Sequence, residues 1–237
     1  MATDLASAAI LLAQRGIAVF PVSHGLKTPL IARSDGGHGF RDATTNLDAV
    51  RTWWTKYPRA NIGAATGSKS GVWALDIDAQ HGGIESLRTL EAEHGALPLT
   101  VEAATPSGGR HLYFRWRNDT PEIRNSAGRI APGIDVRSEG GFVVVPPSVL
   151  FDGRRYTWID NGADSFADAP AWLVTLALPP PLPARTAPKP LTGDVTRYDA
   201  AAVVAELRCL EGAGSPRRTQ GDQERVTWRS PGRVCGR

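Results

Sequence analysis

Two aspartates stand two residues apart at the end of an apolar run, in the segment VWALDIDAQ at residues 72–80. Side chains of a strand alternate between its two faces, so Asp76 and Asp78 share one face while Trp73, Leu75 and Ile77 share the other. Two carboxylates on one face repel each other unless a cation lies between them. A divalent ion that takes oxygen ligands, such as Mg²⁺ or Mn²⁺, is the simplest candidate. A solvated polar strand end is the alternative.

The same alternation occurs in two later segments, GGRHLYFRW (residues 108–116) and GIDVRS (residues 133–138). Each places apolar side chains on one face and polar ones on the other, with His111 on the polar face of the first segment and Asp135 and Arg137 on that of the second. A sheet with one packed face and one functional face predicts this pattern, although a solvated face would also be polar. Asp135 would complete a carboxylate triad with the two earlier aspartates.

A glycine turn precedes the histidine, in ATPSGGRH at residues 104–111. Ser107 offers a hydroxyl, and Gly108 and Gly109 would let backbone N–H groups approach an anion closely. A simple hairpin is the alternative for such a turn taken alone. Together with His111 and the carboxylates, the turn indicates a site for metal and triphosphate. Two divalent ions serve nucleotidyl transfer by activating a 3′-hydroxyl and stabilising the leaving pyrophosphate.

Helices and short strands must position these groups. Hydrophobic periodicity and capping residues predict a first helix capped near Thr3 or Asp4 and ended by Gly16, and a second starting near Thr45 or Asn46. Two further helices are predicted at residues 82–95 and 172–178. Strands are predicted at residues 16–22, 61–67, 71–78, 100–105, 110–116, 133–138, 141–149 and 154–160. The pattern indicates a mixed α/β body whose second half is rich in antiparallel strands.

Composition is that of an ordinary globular protein, with 237 residues, 41% hydrophobic and 22% charged. No run of 18 apolar residues is present and the N-terminus does not resemble a signal peptide, so we expect a cytoplasmic protein without a membrane span. Cys209 and Cys235 are too few for a disulfide framework. The positive net charge of the chain comes from residues 181–237, since residues 1–180 are close to neutral. Six arginines between Arg110 and Arg137 form either an anion-facing patch or an ordinary solvated surface.

Three regions are expected along the chain. Residues 1–178 would form the catalytic domain, and the proline-rich residues 179–193 a semi-rigid linker. Residues 194–237 would form a short helix followed by a disordered tail. The composition of the tail after Gly214 suggests a truncated or frameshifted gene end, which is a hypothesis about the source gene.

The segments LDID, SGGRHLYF and GIDVRSEGGFVVVPPS resemble the three motifs of the archaeo-eukaryotic primase superfamily. The resemblance is closest to the bifunctional primase/polymerase N-terminal domains of phage and plasmid replication proteins, and it covers roughly residues 5–178. GIAVFPVSHGLKTPLI and NIGAATGSKSGVWALDID also resemble the opening of that family. The resemblance implies an α/β (α+β) fold of two lobes, with a largely antiparallel catalytic sheet like an RNA-recognition motif backed by helices.

The resemblance also implies roles for individual residues. The catalytic and metal-binding acids would be Asp76, Asp78 and Asp135. The nucleotide would be bound by Ser107, Gly108, Gly109, His111, Arg137 and Lys27. Two Mg²⁺ or Mn²⁺ ions are the implied cofactors. The cysteine and histidine insertion of some relatives is not visible, so no structural zinc is expected. A helicase ATPase signature, which usually follows in full-length relatives, is not found in the sequence either.

The leading hypothesis is therefore template-directed nucleotidyl transfer, as a DNA primase or polymerase in phage, plasmid or mobile-element replication. Its partners would be a single-stranded DNA template, a primer and nucleoside triphosphates, with a helicase domain or protein as a further candidate and no membrane. Two alternatives stay open. One is a non-catalytic module that binds single-stranded nucleic acid or nucleotide. The other is a sugar-nucleotide transferase, which would share the D-x-D pattern.

Overall fold

A computed structural model describes residues 4–117 and 123–179, all within one compact unit, Met1–Pro181. Most of the predicted linker, and the predicted short helix and tail, lie outside the described residues. The described helices are α1 (Leu5–Gln14), α2 (Leu47–Lys56), α3 (Gly83–His94) and α4 (Ala171–Ala177). The described strands are β1 (Val19–Val22), β2 (Asn61–Ala65), β3 (Val72–Ile77), β4 (Glu102–Ala104), β5 (Arg110–Arg115), β6 (Ser126–Ala131), β7 (Ile134–Arg137), β8 (Phe142–Val145) and β9 (Thr157–Ile159).

The first two helices begin where their capping residues predict. The Asp4 carboxylate accepts the backbone N–H of Ser7 at 2.8 Å and caps α1. The Asn46 side chain accepts the N–H groups of Asp48 and Ala49, each at 3.0 Å, and caps α2. Both caps satisfy N–H groups that have no partner inside the helix. In the described range 4–117 and 123–179, no helix is both long and apolar enough to cross a membrane.

The strands form two antiparallel sheets, which confirms the predicted α+β class. One sheet has the order β1-β2-β8, and the other has the order β6-β7-β3-β5-β4-β9. Only residues 66–71 separate β2 from β3, yet these strands lie in different sheets. The chain returns to the first sheet at β8, which pairs with β2. Strand β6 was not predicted, because SAGRIA has neither an apolar run nor a clear alternation.

Both faces of β3 are packed along most of its length. Trp73, Leu75 and Ile77 join a core with α3 and α4, as the alternation predicts. On the opposite face, Val72 and Ala74 belong to a second core that includes residues of α1, α2, β2 and β8. The predicted functional face is therefore an internal surface covered by other elements. It becomes polar towards the C-terminal end of β3, at Asp76, and this end is where a site can form.

Candidate active site

Asp76 lies at the centre of a row of three polar residues from neighbouring strands. In the β3–β5 register it is directly opposite His111, and in the β3–β7 register it is directly opposite Asp135. Residues directly opposite each other in antiparallel strands project to the same face of the sheet. The register therefore brings together three groups that the sequence placed on three separate strands.

Arg137 binds both carboxylates of this row. Its Nη2 atom donates to Asp135 Oδ2 at 2.7 Å, and its Nε atom lies 3.5 Å from Asp76 Oδ2. The second oxygen of Asp135 accepts the backbone N–H of Gly128 at 2.8 Å. On the other side of Asp76, Oδ1 lies 3.4 Å from Nε2 of His111. A guanidinium group thus occupies the cationic position between the two acids.

These neighbours control the charge of Asp76, whose side chain is 26% exposed. Burial alone would raise the pKa of its carboxyl group, because a poorly solvated carboxylate is disfavoured. The hydrogen bond and charge of His111, followed by the charges of Arg137 and Lys27, outweigh burial. The pKa of Asp76 is therefore below its ordinary value, and this carboxylate is ionised at neutral pH.

His111 is buried, with 5% of its surface exposed, and it lies among tyrosines. Its Nδ1 atom is 3.3 Å from the Tyr113 hydroxyl, and its ring centroid is 5.9 Å from that of Tyr156. Burial, with a further contribution from the charge of Asp76, raises the pKa of Tyr113 and raises the pKa of Tyr156 to about 12. Both tyrosines therefore keep their protons at neutral pH and can act as hydrogen-bond donors.

A cavity of about 340 Å³ opens beside the row. Its lining includes Lys27, Asp76, His111 and Arg137, so the structure gathers these four predicted residues around one space. The remaining lining is aromatic, small or neutral, and sequence reasoning had not assigned any of it to the site: Phe40, Asn125, Gly140, Gly141, Phe142, Val143, Val144 and Tyr156. Phe142 falls within the quoted third motif, but nothing in the sequence pattern of the β9 region marks Tyr156.

Lys27 reaches the cavity from a tight turn after β1. The backbone N–H of Ser23 donates to the Thr28 carbonyl at 2.8 Å, and the N–H of Leu26 donates to the Ser23 carbonyl at 3.0 Å. These bonds close the turn and leave the exposed Lys27 near its tip. Its positive charge contributes to the lowered pKa of Asp76, which shows that the two residues lie within electrostatic range.

Asp78 does not line the cavity. It follows β3 and caps a short 3-10 turn, where its carboxylate accepts the backbone N–H of Gln80 at 2.9 Å and lies 2.7 Å from Nδ1 of His81. The hydrogen bond with His81 is the main cause of a lowered pKa at Asp78, and the charge of Asp76 opposes it. Among the described residues, no three His, Cys, Asp or Glu side chains gather closely enough to hold a metal ion in this conformation.

The Ser107–Gly109 turn lies between β4 and β5, outside the cavity lining. The N–H of Gly108 donates to the Thr105 carbonyl at 3.0 Å, and the N–H of Gly109 donates to Thr105 Oγ1 at 3.1 Å. The Ser107 hydroxyl is 3.1 Å from the same Thr105 oxygen. Both glycine N–H groups are therefore used inside the turn. A Cβ atom at residue 109 would collide with the Ile77 carbonyl oxygen, so this glycine allows β5 to approach the end of β3.

Most of the arginines between residues 110 and 137 have partners elsewhere on the domain. Arg110 pairs with Glu102 at 3.1 Å, and Arg115 and Arg117 lie 3.7 and 3.9 Å from Asp168. Arg129 donates to the Ala177 carbonyl. Of the six, Arg137 is the one that lines the cavity in the described structure. The arginines are therefore distributed along the sheet, which favours the interpretation of most of them as ordinary surface charges.

The fold and site define an α+β domain in which acid, imidazole, guanidinium and ammonium groups converge on one cavity of an antiparallel sheet. The family profile for the N-terminal domain of bifunctional DNA primase/polymerase, Prim-Pol, matches residues 9–172. The match covers most of the chain, and the protein therefore belongs to the Prim-Pol family. A search of curated proteins gave no match to the chain.

Family membership confirms the resemblance carried by the three motifs. It associates the chain with DNA primase and polymerase function in replication. The family is typically metal-dependent and implies binding of nucleotide and DNA. It also favours nucleotidyl transfer over the sugar-nucleotide alternative, because the match extends beyond the D-x-D segment to the regions of His111 and Asp135.

Proposed function

We propose that this protein catalyses template-directed nucleotidyl transfer, synthesising or extending primers on single-stranded DNA in phage, plasmid or mobile-element replication. The observation that carries the proposal is the direct pairing of Asp76 with both His111 and Asp135, beside a cavity that Lys27 and Arg137 also line. The cavity is lined by one acid, Asp76, and by the cationic groups of Lys27 and Arg137, which suits a metal-bound triphosphate because it needs ligands of both signs. In this proposal residues 1–178 form the catalytic domain and residues 179–193 a linker.

The carboxylates suit the divalent ions on which the family typically depends. Asp76 and Asp135 are adjacent, and the guanidinium of Arg137 already binds both, so their position suits a cation. Mg²⁺ and Mn²⁺ prefer such oxygen ligands. In this proposal Asp76, Asp78 and Asp135 hold two ions, and Asp78 would have to leave its present contacts with Gln80 and His81 to do so. When bound, such ions activate a primer 3′-hydroxyl and stabilise the leaving pyrophosphate.

The other residues would bind and orient the nucleotide. Lys27, His111 and Arg137 would contact the triphosphate, and the neutral Tyr156 would offer a hydroxyl donor from the cavity wall. The turn of Ser107, Gly108 and Gly109 belongs to the proposed nucleotide site. Contact through its glycine N–H groups would require the bonds to Thr105 to open.

The test is primer synthesis and extension on single-stranded DNA with nucleoside triphosphates and either Mg²⁺ or Mn²⁺. We expect Asp76→Asn and Asp135→Asn each to lower the rate by roughly 100-fold or more, since each removes charge stabilisation worth several kcal/mol. The matched control is Asp48→Asn, because the Asp48 side chain is 93% exposed on α2. Wild-type activity in Asp76→Asn and Asp135→Asn, as in the control, with unchanged thermal unfolding, would contradict the assignment of these acids.

A non-catalytic module that binds single-stranded nucleic acid or nucleotide is the second candidate. One observation favours it: in the described residues the acids are paired with Arg137 and His111 rather than gathered as a ready metal-binding group. Binding of single-stranded DNA that is tight and independent of metal, with no incorporation of nucleotide under any metal condition, would select this candidate. Incorporation that depends on Asp76 would exclude it.

A further inference from the structure

The side chain of Arg137 forms ion pairs with two acids that lie next to each other, and its single positive charge offsets part of their negative charge. Asp76 and Asp135 are directly paired across β3 and β7, so without a counter-charge their carboxylates would repel each other. The guanidinium lies 3.5 Å from one and 2.7 Å from the other, and the Arg137 side chain is 33% exposed. A guanidinium presents several N–H donors in a planar fork, so one arginine can contact both acids at once.

All four carboxylate oxygens of these acids have partners in the protein. Asp76 Oδ1 faces His111, and Asp135 Oδ1 accepts the N–H of Gly128. The two remaining oxygens, Oδ2 of Asp76 and Oδ2 of Asp135, face Arg137. A divalent ion that is shared by both acids would therefore meet Arg137 at those two oxygens. Two cations that contact the same oxygens repel each other in a partly buried site, so the guanidinium opposes binding of the ion there.

Arg137 has another place to bind within the same cavity. Its long side chain lines the cavity together with Lys27, so a nucleotide triphosphate there would meet two cationic groups. A guanidinium binds phosphate oxygens through two parallel N–H donors, as it binds carboxylates. If the guanidinium of Arg137 left the two acids, it would exchange its charge-assisted hydrogen bonds to carboxylates for similar bonds to phosphate oxygens. The arginine side chain would not have to leave the cavity.

We infer that Arg137 is an exchangeable counter-ion, which competes with the divalent ion for Asp76 and Asp135 and is transferred to the triphosphate when the ion binds. This inference rests on the proposed function and adds a coupling to it. Metal binding frees a phosphate ligand, and a bound triphosphate draws the competing cation away from the acids. Such coupling is reciprocal, because each ligand changes the affinity for the other by the same factor.

The test measures Mn²⁺ affinity by calorimetry without nucleotide, in the wild type and in Arg137→Gln. Removal of the competing charge should strengthen Mn²⁺ binding by roughly fivefold or more, the lower end of typical coupling. At saturating Mn²⁺ and without template, the same variant should bind nucleoside triphosphate more weakly, by a similar factor. A merely structural arginine would not move the two affinities in opposite directions. Arg115→Gln is the matched control, since Arg115 pairs with Asp168 and lies outside the cavity lining.

Arg137→Lys provides a second variant if Arg137→Gln is poorly folded. A lysine keeps one charge but cannot bind both acids with a planar fork, so its Mn²⁺ affinity should lie above that of the wild type and below that of the glutamine variant. Unchanged or weaker Mn²⁺ binding in both variants would overturn the inference, even if nucleotide incorporation is observed. The two tests can also give the opposite pair of results. If the wild type incorporates no nucleotide but both variants bind Mn²⁺ more tightly, the proposed function is contradicted and the competition between Arg137 and the ion is supported.

Discussion

The imidazole of His111 lies 3.4 Å from the carboxylate of Asp76 because β5 and β3 pair these two residues directly. This contact is the largest of the effects that lower the pKa of Asp76, and it acts against a burial that would raise it. The histidine therefore does more than line the cavity. It lowers the pKa of the central acid, which burial raises.

His111→Gln should make the protein more sensitive to acid. In the wild type, the lowered pKa of Asp76 contributes stability above the ordinary value of 3.8, and this contribution is lost as the pH falls through the folded-state value. Without His111, the largest of the effects that lower the pKa of Asp76 is lost, so this pKa rises. We expect the acid-unfolding midpoint, followed by circular dichroism, to move to higher pH, with a loss of about 1–3 kcal/mol at neutral pH.

His38→Gln is the control for that experiment. The His38 side chain is 72% exposed and contacts Asp42 rather than the central acid. Acid-unfolding curves that shift equally in the two variants would show that His111 has no special influence on Asp76.

Gly109→Ala and Gly108→Ala should differ in their effect on stability. A methyl group at residue 109 would collide with the Ile77 carbonyl oxygen and push β5 away from β3, which we expect to cost about 1–3 kcal/mol. Gly108 has φ +85° but open space around it, so alanine there should cost only the roughly 1 kcal/mol of left-handed backbone strain. Urea unfolding measures both. Equal losses would argue against a tight β3–β5 approach at this point.

Lys27→Ala should weaken nucleotide binding in proportion to the number of phosphates. Its ammonium lies beside the cavity, and loss of a charged hydrogen bond to phosphate costs about 1.5–3 kcal/mol, or roughly 10- to 150-fold in affinity. The loss of affinity should be largest for a nucleoside triphosphate, intermediate for the diphosphate and smallest for the monophosphate. High salt should reduce the loss for each of the three. Lys56→Ala on α2 is the control. A loss of affinity that is the same for all three nucleotides would place Lys27 away from the phosphates.

Tyr156→Phe should change the alkaline behaviour of the protein. The raised pKa of Tyr156, about 12 against an ordinary 10, contributes stability that is complete below pH 10 and is lost as the pH rises through the folded-state value. As the pH rises above 10, the wild type should therefore lose free energy of unfolding relative to the variant, which has no hydroxyl at this position. Urea unfolding measures this change. Absorbance at 295 nm should lose one late-titrating tyrosine in the variant. A lost component that titrates near pH 10 would contradict the buried position of this hydroxyl.

Local features of the fold were predictable because they depend on neighbouring residues. The caps at Asp4 and Asn46 and the alternation in β3 follow from short segments of chain, and the structure has them where expected. Strand β6 was missed because its local sequence carries no strand pattern. The division of β2 and β3 between two sheets was also not predictable, since it depends on pairing with β8, which is distant in sequence.

The sequence by itself determined which residues share a face, and with it the grouping of Asp76, His111, Asp135 and Arg137 as candidates. Only the tertiary structure decided that Asp76 lies opposite both His111 and Asp135, that Arg137 binds both acids, and that Tyr156 lines the cavity. The physical reason is that side-chain alternation is a property of one strand. Strand register and sheet order, in contrast, result from hydrogen bonding and packing between segments far apart in the chain.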